Sequence, residues 1–430
     1  MASPRGSTRF ALFVLFAINF MNFYDRQVVG AIGERIKQEW QLSDSQLALL
    51  TTAFVLLYAV VGLPLGRWAD VGQRRVILAT SVLVWSVFTA LSGMASGFTT
   101  LFLFRLGVGV GEAGCAPAAN SLIGDLFPAE QRARAIGIFM LGLPFGIAAS
   151  FLLSGLVAEW TGGWRSALLV AAAPGFVLGL LAFKLPEPVR GAADPHLNAG
   201  SGDTLEAIRG VLSVPSMRWI IASGALLNLI MYALAAFVTS YLVRYHGLGF
   251  GPATRVSGLV YGVAGTIGIL LGGWMADRAA ITRVQGRLQV AAVVFAVAAP
   301  LGWLALGQGR GEVIGFALLL TPVATCFYCY YPSVYATIQD VIEPRTRGIA
   351  MAVYFFVFYL FTAAGLFGFG RLSDGLAARA REAGQAAAEA SASGLHGAML
   401  SIPILSALLA LVLWAGSRHV ASDHARLRTA

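Results

Sequence analysis

Long apolar blocks separated by short polar connections run along nearly the whole chain. Each block spans about 20 residues, enough to cross a hydrocarbon core of about 30 Å as a helix. We count twelve: 9–32, 45–68, 74–95, 98–122, 131–157, 164–184, 216–243, 253–275, 287–307, 312–337, 347–371 and 396–417. The pattern predicts an all-α integral membrane protein with twelve transmembrane helices.

Composition agrees: 430 residues, 57% hydrophobic, 12% charged, mean hydropathy +0.74. A formal charge of +9 invites a nucleic-acid or acidic partner, but its placement argues otherwise. Of 30 Lys and Arg residues, 19 fall at the termini and in the even-numbered connections, nine on the opposite side and two inside spans. By the positive-inside rule both termini and the central connection are cytoplasmic. The expected setting is the bilayer of a bacterial inner (cytoplasmic) membrane, with no nucleic-acid partner. Arg5 and Arg9 ahead of an apolar run imitate a signal peptide, yet no small-residue cleavage site follows, so the run is read as a retained span. Cys115, Cys326 and Cys329 lie in predicted spans and imply no disulfide framework.

The longest polar segment, 185–215, divides the chain into a six-helix bundle at 1–184 and a second at 216–430. Its PEP start and Gly/Ser/Asp content read as a linker, with a short surface helix near 204–212. The halves echo each other. Gly66 to Asp70 after span two matches Gly273 to Asp277 after span eight, and Asp125 precedes Arg132 by the same seven residues that separate Asp340 from Arg347. The ends of spans five and eleven, Gly155 to Glu159 and Gly370 to Asp374, match at the same offset of 215. Duplicated halves with a site near midplane are a transporter architecture. Two halves already make a complete pathway, so a monomer is expected.

Asp25, Arg26, Arg105 and Glu112 lie inside spans. A charge at a helix centre costs roughly 2.5–3.5 kcal/mol on insertion scales, so such residues pair or face water. Two of each sign suggest two pairs, structural or functional. Asn19, Asn22 and Arg26 share a face of span one, while Asp25 points about 100° away. Arg105 and Glu112, seven residues apart, share a face of span four. Asp25 and Glu112 are the candidate proton carriers, with Glu112 preferred because Asp25 adjoins Arg26. Arg26 and Arg105 are candidate charge partners or substrate contacts.

Asn19 and Asn22, with Asn228 and Tyr232 of span seven and Tyr328 and Tyr331 of span ten, are candidate cavity residues. Ionic chemistry thus sits in the first half and uncharged aromatic and amide groups in the second, which suits an amphipathic ligand. Gly107, Gly109, Gly111 and Gly114 allow close helix approach, and Gly142, Pro144 and Gly146 mark a possible bend in span five. Asp70, Arg74, Arg75, Arg134 and Asp277 are candidate members of a cytoplasmic gate. No Walker loop, no metal-spaced His or Cys cluster and no nucleophile motif is evident. No enzyme, ATP-driven pump or cofactor is therefore expected. A receptor or scaffold on a transporter fold is the alternative from another class.

The stretch GRWADVGQRR resembles the signature after helix two of the major facilitator superfamily, departing from it at Val71 and Gln73. Arg105 resembles that superfamily's motif arginine in helix four. NFYDRQVVGAIGERIKQEWQLSDSQ, from Asn22, and GEAGCAPAANSLIGDLFPAEQRARAIGI, from Gly111, resemble the Spinster-like branch. The resemblance implies the major facilitator fold, a small-molecule substrate, and proton-linked gating or substrate contact at Asp25, Arg26, Arg105 and Glu112. Eukaryotic members of the branch move lysophospholipids and sphingoid phosphates, which implies a lipid-like substrate. A DR pair in helix one also occurs in organic-anion and sugar-acid symporters of the superfamily, which is the alternative.

Overall fold

A computed structural model describes residues 5–127, 129–189, 204–343 and 346–429. Every regular element among them is helical. In chain order they are α1 (Arg5–Trp40), α2 (Asp44–Val71), α3 (Arg74–Gly93), α4 (Phe98–Ala113), α5 (Cys115–Leu126), α6 (Ala129–Met140), α7 (Gly142–Thr161) and α8 (Arg165–Ala182). There follow α9 (Thr204–Ser213), α10 (Pro215–Arg244), α11 (Phe250–Thr282), α12 (Gly286–Leu306), α13 (Val313–Val341), α14 (Arg347–Glu382), α15 (Ala387–Met399) and α16 (Ser401–Thr429). Among the described residues, eleven stretches are long and apolar enough to cross a membrane. The remaining expected span is α1, whose 36 residues cover it but whose apolar run is diluted by Asn19, Asn22, Asp25, Arg26 and Gln27. The short helix expected at the end of the central linker is α9.

Three expected spans are each two helices: α4 with α5, α6 with α7, and α15 with α16. In each case the first helix ends four residues before a proline: Ala113 before Pro117, Met140 before Pro144, Met399 before Pro403. Proline has no N–H to return to the carbonyl four residues back and its ring crowds that carbonyl. Pro174, Pro300, Pro322 and Pro332 nevertheless stay inside unbroken helices, so proline alone does not dictate a break. In span five the glycines serve contact with α1: a Cβ on Gly142 would stand 2.7 Å from the Phe20 nitrogen and one on Gly146 2.3 Å from its oxygen. Pro144 falls in the first turn of α7, where no intrahelical donor is missed.

The contacts group the chain into two units, one of 1–198 with 250–258 and another of 199–249 with 259–430. In unit 1, α3 packs on α4 and α8, and α1 on α7 and α8. Unit 2 repeats these pairings, with α12 on α13 and α16, and α10 on α14 and α16. The repeat extends to side chains. Arg74 at the start of α3 bonds Asp125 at the end of α5, and Arg287 in the first turn of α12 bonds Asp340 at the end of α13. Large apolar side chains such as Leu180, Leu270, Leu318 and Leu411 are exposed, which fits a surface solvated by lipid. The protein is an integral membrane protein of two like-built six-span sets.

Candidate functional site

Among the described residues of unit 1, the charged residues lie at the junction of two buried apolar clusters. One cluster takes Ile18, Met21 and Tyr24 from α1, Trp85 from α3 and Val108 from α4. The other takes Val28, Val29 and Ile32 from α1 and Leu101 from α4. Asp25 and Arg26 fall between the two sets on α1, and Arg105 falls between Leu101 and Val108 on α4. Glu112 is one turn past Val108, in the last turn of α4, next to the break before Pro117. Glycine brings these helices together. A Cβ on Gly109 would lie 2.1 Å from the Phe54 carbonyl oxygen of α2, and one on Gly111 2.5 Å from the Trp85 nitrogen of α3. Only a residue without a side chain lets the backbones meet there.

All four ionisable residues are buried, Asp25 at 1% exposure, Arg26 at 4%, Arg105 and Glu112 at 0%. Sequence neighbours do not pair with each other. Arg105 donates through Nη1 to Asp25 Oδ2 and through Nη2 to the Asp25 carbonyl oxygen, both at 3.2 Å. Thr89 of α3 donates to Asp25 Oδ1 at 3.0 Å. Both oxygens of Asp25 are therefore occupied by fixed donors. Arg26 Nε donates to Glu112 Oε2 at 2.8 Å, but Glu112 Oε1 has no hydrogen-bond partner among the described residues. A buried carboxylate held at one oxygen is the less well compensated of the two.

The guanidinium of Arg26 lies over the rings of Tyr58, Phe23 and Phe54 at 4.7, 5.2 and 5.6 Å, and that of Arg105 over Phe54 at 5.6 Å. Ring faces attract a desolvated cation, so Arg26 keeps partial compensation if Glu112 loses its charge. Thr89, Phe54 and Tyr58 were not separable in sequence from the other Thr and aromatic residues of apolar spans. Asn19, on the same face of α1, donates to the Phe139 carbonyl at 2.7 Å, while Asn22 Nδ2 is buried with no partner among the described residues.

In unit 2 the expected polar residues are embedded in a ring cluster. Asn228 donates to Thr362 Oγ1 and to the Phe358 carbonyl, and the Tyr331 hydroxyl reaches Met231 Sδ at 3.4 Å. Tyr232 and Tyr328 are buried; the Tyr328 hydroxyl has no partner among the described residues. Ser223, Tyr330 and Tyr354 form a hydroxyl chain at 2.7 and 3.3 Å.

The candidate gate residues divide between the units. Arg74 bonds Asp125, Ser121 and Glu187, and the Arg75 amide donates to Glu187 Oε2 at 2.9 Å, all within unit 1. Asp277 lies 3.6 Å from Arg287 within unit 2. Arg134 is exposed, and the side chain of Asp70 lies outside the described residues. Glu187, which belongs to the PEP start of the linker, is thus an ion-pair residue that the linker composition concealed.

A profile of the Major Facilitator Superfamily matches residues 15–366. An MFS-type efflux pump of Mycolicibacterium smegmatis is 30% identical over 368 residues, covering 85% of this chain and 84% of that protein. Protein spinster homolog 1 of Xenopus tropicalis is 28% identical over 368 residues, covering 82% and 70%. The crystal structure of a bacterial homolog to the human lysosomal transporter Spinster, in an inward-facing and occupied conformation, superposes with a TM-score of 0.85 at 26% identity over 98% of this chain and 99% of that one.

Proposed function

The chain belongs to the major facilitator superfamily, and from that premise we propose that it is a proton-coupled secondary active transporter moving an amphipathic, lysolipid-like molecule by alternating access. The observation that carries this reading is Glu112, fully buried, held by Arg26 at one oxygen and without a partner at the other among the described residues. A proton delivered to Oε1 removes the charge facing Arg26, so that the guanidinium attracts an anionic group of the substrate more strongly. Deprotonation restores the pair and expels the anion. Asp25, saturated by Arg105 and Thr89, serves in this scheme as the fixed counter-ion and Glu112 as the proton carrier. Asn19 and Asn22 extend the polar face of α1. Asn228, Tyr232, Tyr328 and Tyr331 give unit 2 an uncharged aromatic character suited to the apolar part of such a molecule.

The resemblance to Spinster proteins, whose eukaryotic members move lysophospholipids, supports a lipid-like cargo. The charge distribution along the chain supports cytoplasmic termini in a bacterial inner membrane, and the chain is read as a monomeric transporter rather than an enzyme. The test is internal pH in sealed proteoliposomes as lysophospholipids, then sugar acids, are added. Wild-type protein gives a proton flux specific to one class, whereas Glu112→Gln stays folded and exchanges substrate but gives no flux. Flux undiminished in Glu112→Gln rejects the assignment, and flux with sugar acids alone replaces the lipid reading by organic-anion symport.

A further inference from the structure

The end of α10 and the connection that follows it carry a ring cluster that the transport reading does not use. His246 is 6% exposed, and neither of its ring nitrogens has a hydrogen-bond partner among the described residues. Its ring is enclosed by Tyr241 at 5.3 Å, Tyr245 at 5.2 Å and Phe316 of α13 at 5.0 Å. A second histidine, His396 of α15, stacks on Tyr245 at 4.3 Å with planes 7° apart, and its Nδ1 lies 2.9 Å from the Tyr241 hydroxyl.

The charged groups nearby come from three places. Arg244 is in the last turn of α10. From the α12–α13 connection, Arg310 lies over Tyr245 at 5.5 Å, and Glu312 accepts the Gly309 amide at 2.8 Å. From α15, Glu389 pairs with Arg310 at 3.4 Å. No carboxylate bonds either His246 nitrogen among the described residues.

A neutral imidazole is tolerated in such an enclosure, but an imidazolium with no acceptor for its N–H groups is not. Burial holds His246 below its ordinary value and the neighbouring His396 lowers it further, while Glu312 opposes both. A histidine depressed in the folded state adds stability above its ordinary value, about 6.5, and that stability is lost as the pH falls. The matching corner of unit 1 is built differently. There Trp40 meets Trp164 edge-on at 5.1 Å, and Glu39 accepts from Trp164 Nε1 at 2.7 Å and pairs with Arg165 at 2.8 Å. Its hydrogen bond from Arg165 holds Glu39 below the usual carboxylate value, so this corner keeps its charges in mild acid.

We propose that the His246–Tyr245–His396 cluster is an acid-released clasp that ties the α10–α11 connection to α13 and α15 at neutral pH and opens when the face away from the cytoplasm is acidified. The clasp is independent of proton transfer at Glu112, and its test needs no substrate. Hydrogen–deuterium exchange is measured on the full chain in lipid nanodiscs and corrected for intrinsic rates. If His246 stays neutral in the clasp and titrates normally when released, opening of segments 241–249 and 389–398 rises about tenfold between about pH 7.5 and about pH 5.5. Segments 36–42 and 162–167, the corner in unit 1, stay unchanged. His246→Phe keeps a ring in the enclosure and removes most of the response, the remainder belonging to His396, the second titratable ring of the cluster. Equal protection at both pH values in the wild type, or an undiminished response in His246→Phe, overturns the proposal. Nitrogen-15 spectra of histidine-labelled wild-type protein give a second readout that needs no variant. Imidazole protonation of His246 in step with the faster exchange supports the clasp, and faster exchange while His246 stays neutral overturns it.

Discussion

Spans four and ten occupy the same place in the two units yet have opposite interiors. Asp125 and Asp340, each bonded to the arginine that starts the preceding span, put the two in register at an offset of 215. In that register Arg105 aligns in sequence with Leu320, Glu112 with Phe327, Gly109 with Ala324 and Pro117 with Pro332. Leu320 and Phe327 are buried at 4% and 1%, and Phe327 stacks on Phe295 at 5.7 Å. Span ten is one unbroken helix, α13, whereas span four is interrupted between α4 and α5 beside Glu112. A duplicated scaffold thus retains its packing rule while one copy carries buried charge and a broken backbone and the other an ordinary apolar core. Irregular backbone and charge within a bilayer are costly and persist where they line a functional path.

The strongest way to break this contrast is to give span four the residue of span ten. Arg105→Leu strands the buried Asp25 carboxylate and is expected to destabilise the protein by roughly 3–5 kcal/mol, read as a lowered melting temperature in detergent. Adding Asp25→Leu recovers much of that loss, because the unpaired charge is gone. A single variant that melts like the wild type would contradict the pairing. Next in size is Gly109→Ala, which copies Ala324 but puts a Cβ 2.1 Å from the Phe54 oxygen. Overpacking of that kind costs about 1–3 kcal/mol, whereas the reverse exchange, Ala324→Gly, changes the melting temperature less.

The smallest effect concerns the second carboxylate on the arginine of the repeated Arg–Asp contact, Glu187 in one copy and Asp277 in the other. Burial disfavours the charged Glu187 carboxyl, but the Arg75 amide and the Arg74 guanidinium outweigh it and hold the group below its ordinary value. Its contribution is complete above the ordinary carboxylate value of 4.5 and disappears as the pH falls through the lower folded one. Glu187 is partly exposed, so Glu187→Gln should remove about 0–1 kcal/mol at neutral pH and flatten the acid side of the stability profile. An unchanged profile would assign acid sensitivity elsewhere.

Much of this was legible along the chain. Apolar blocks of membrane-spanning length have few alternatives to helix, so the span count, the linker helix and the duplicated loops could be read directly. The buried charges were conspicuous because their neighbours are apolar. Partner choice was not legible: Asp25 adjoins Arg26 in sequence, yet Arg105 and Thr89 saturate it from α4 and α3. Pro117 and Pro332 have the same local chemistry and opposite outcomes, and Gly142 and Gly146, readable as a bend, do adjoin the break at Leu141 but also form the contact surface for α1.

The sequence by itself determined which segments enter the membrane, that the unit is repeated and which half carries charge, because transfer into hydrocarbon is a property of each segment alone. Only the tertiary structure decided that Asp25 is held at both oxygens while Glu112 is held at one, and that His246 is enclosed without a partner. Hydrogen bonds and ion pairs are set by distances of a few tenths of an ångström between helices distant in sequence, and no single segment encodes those distances.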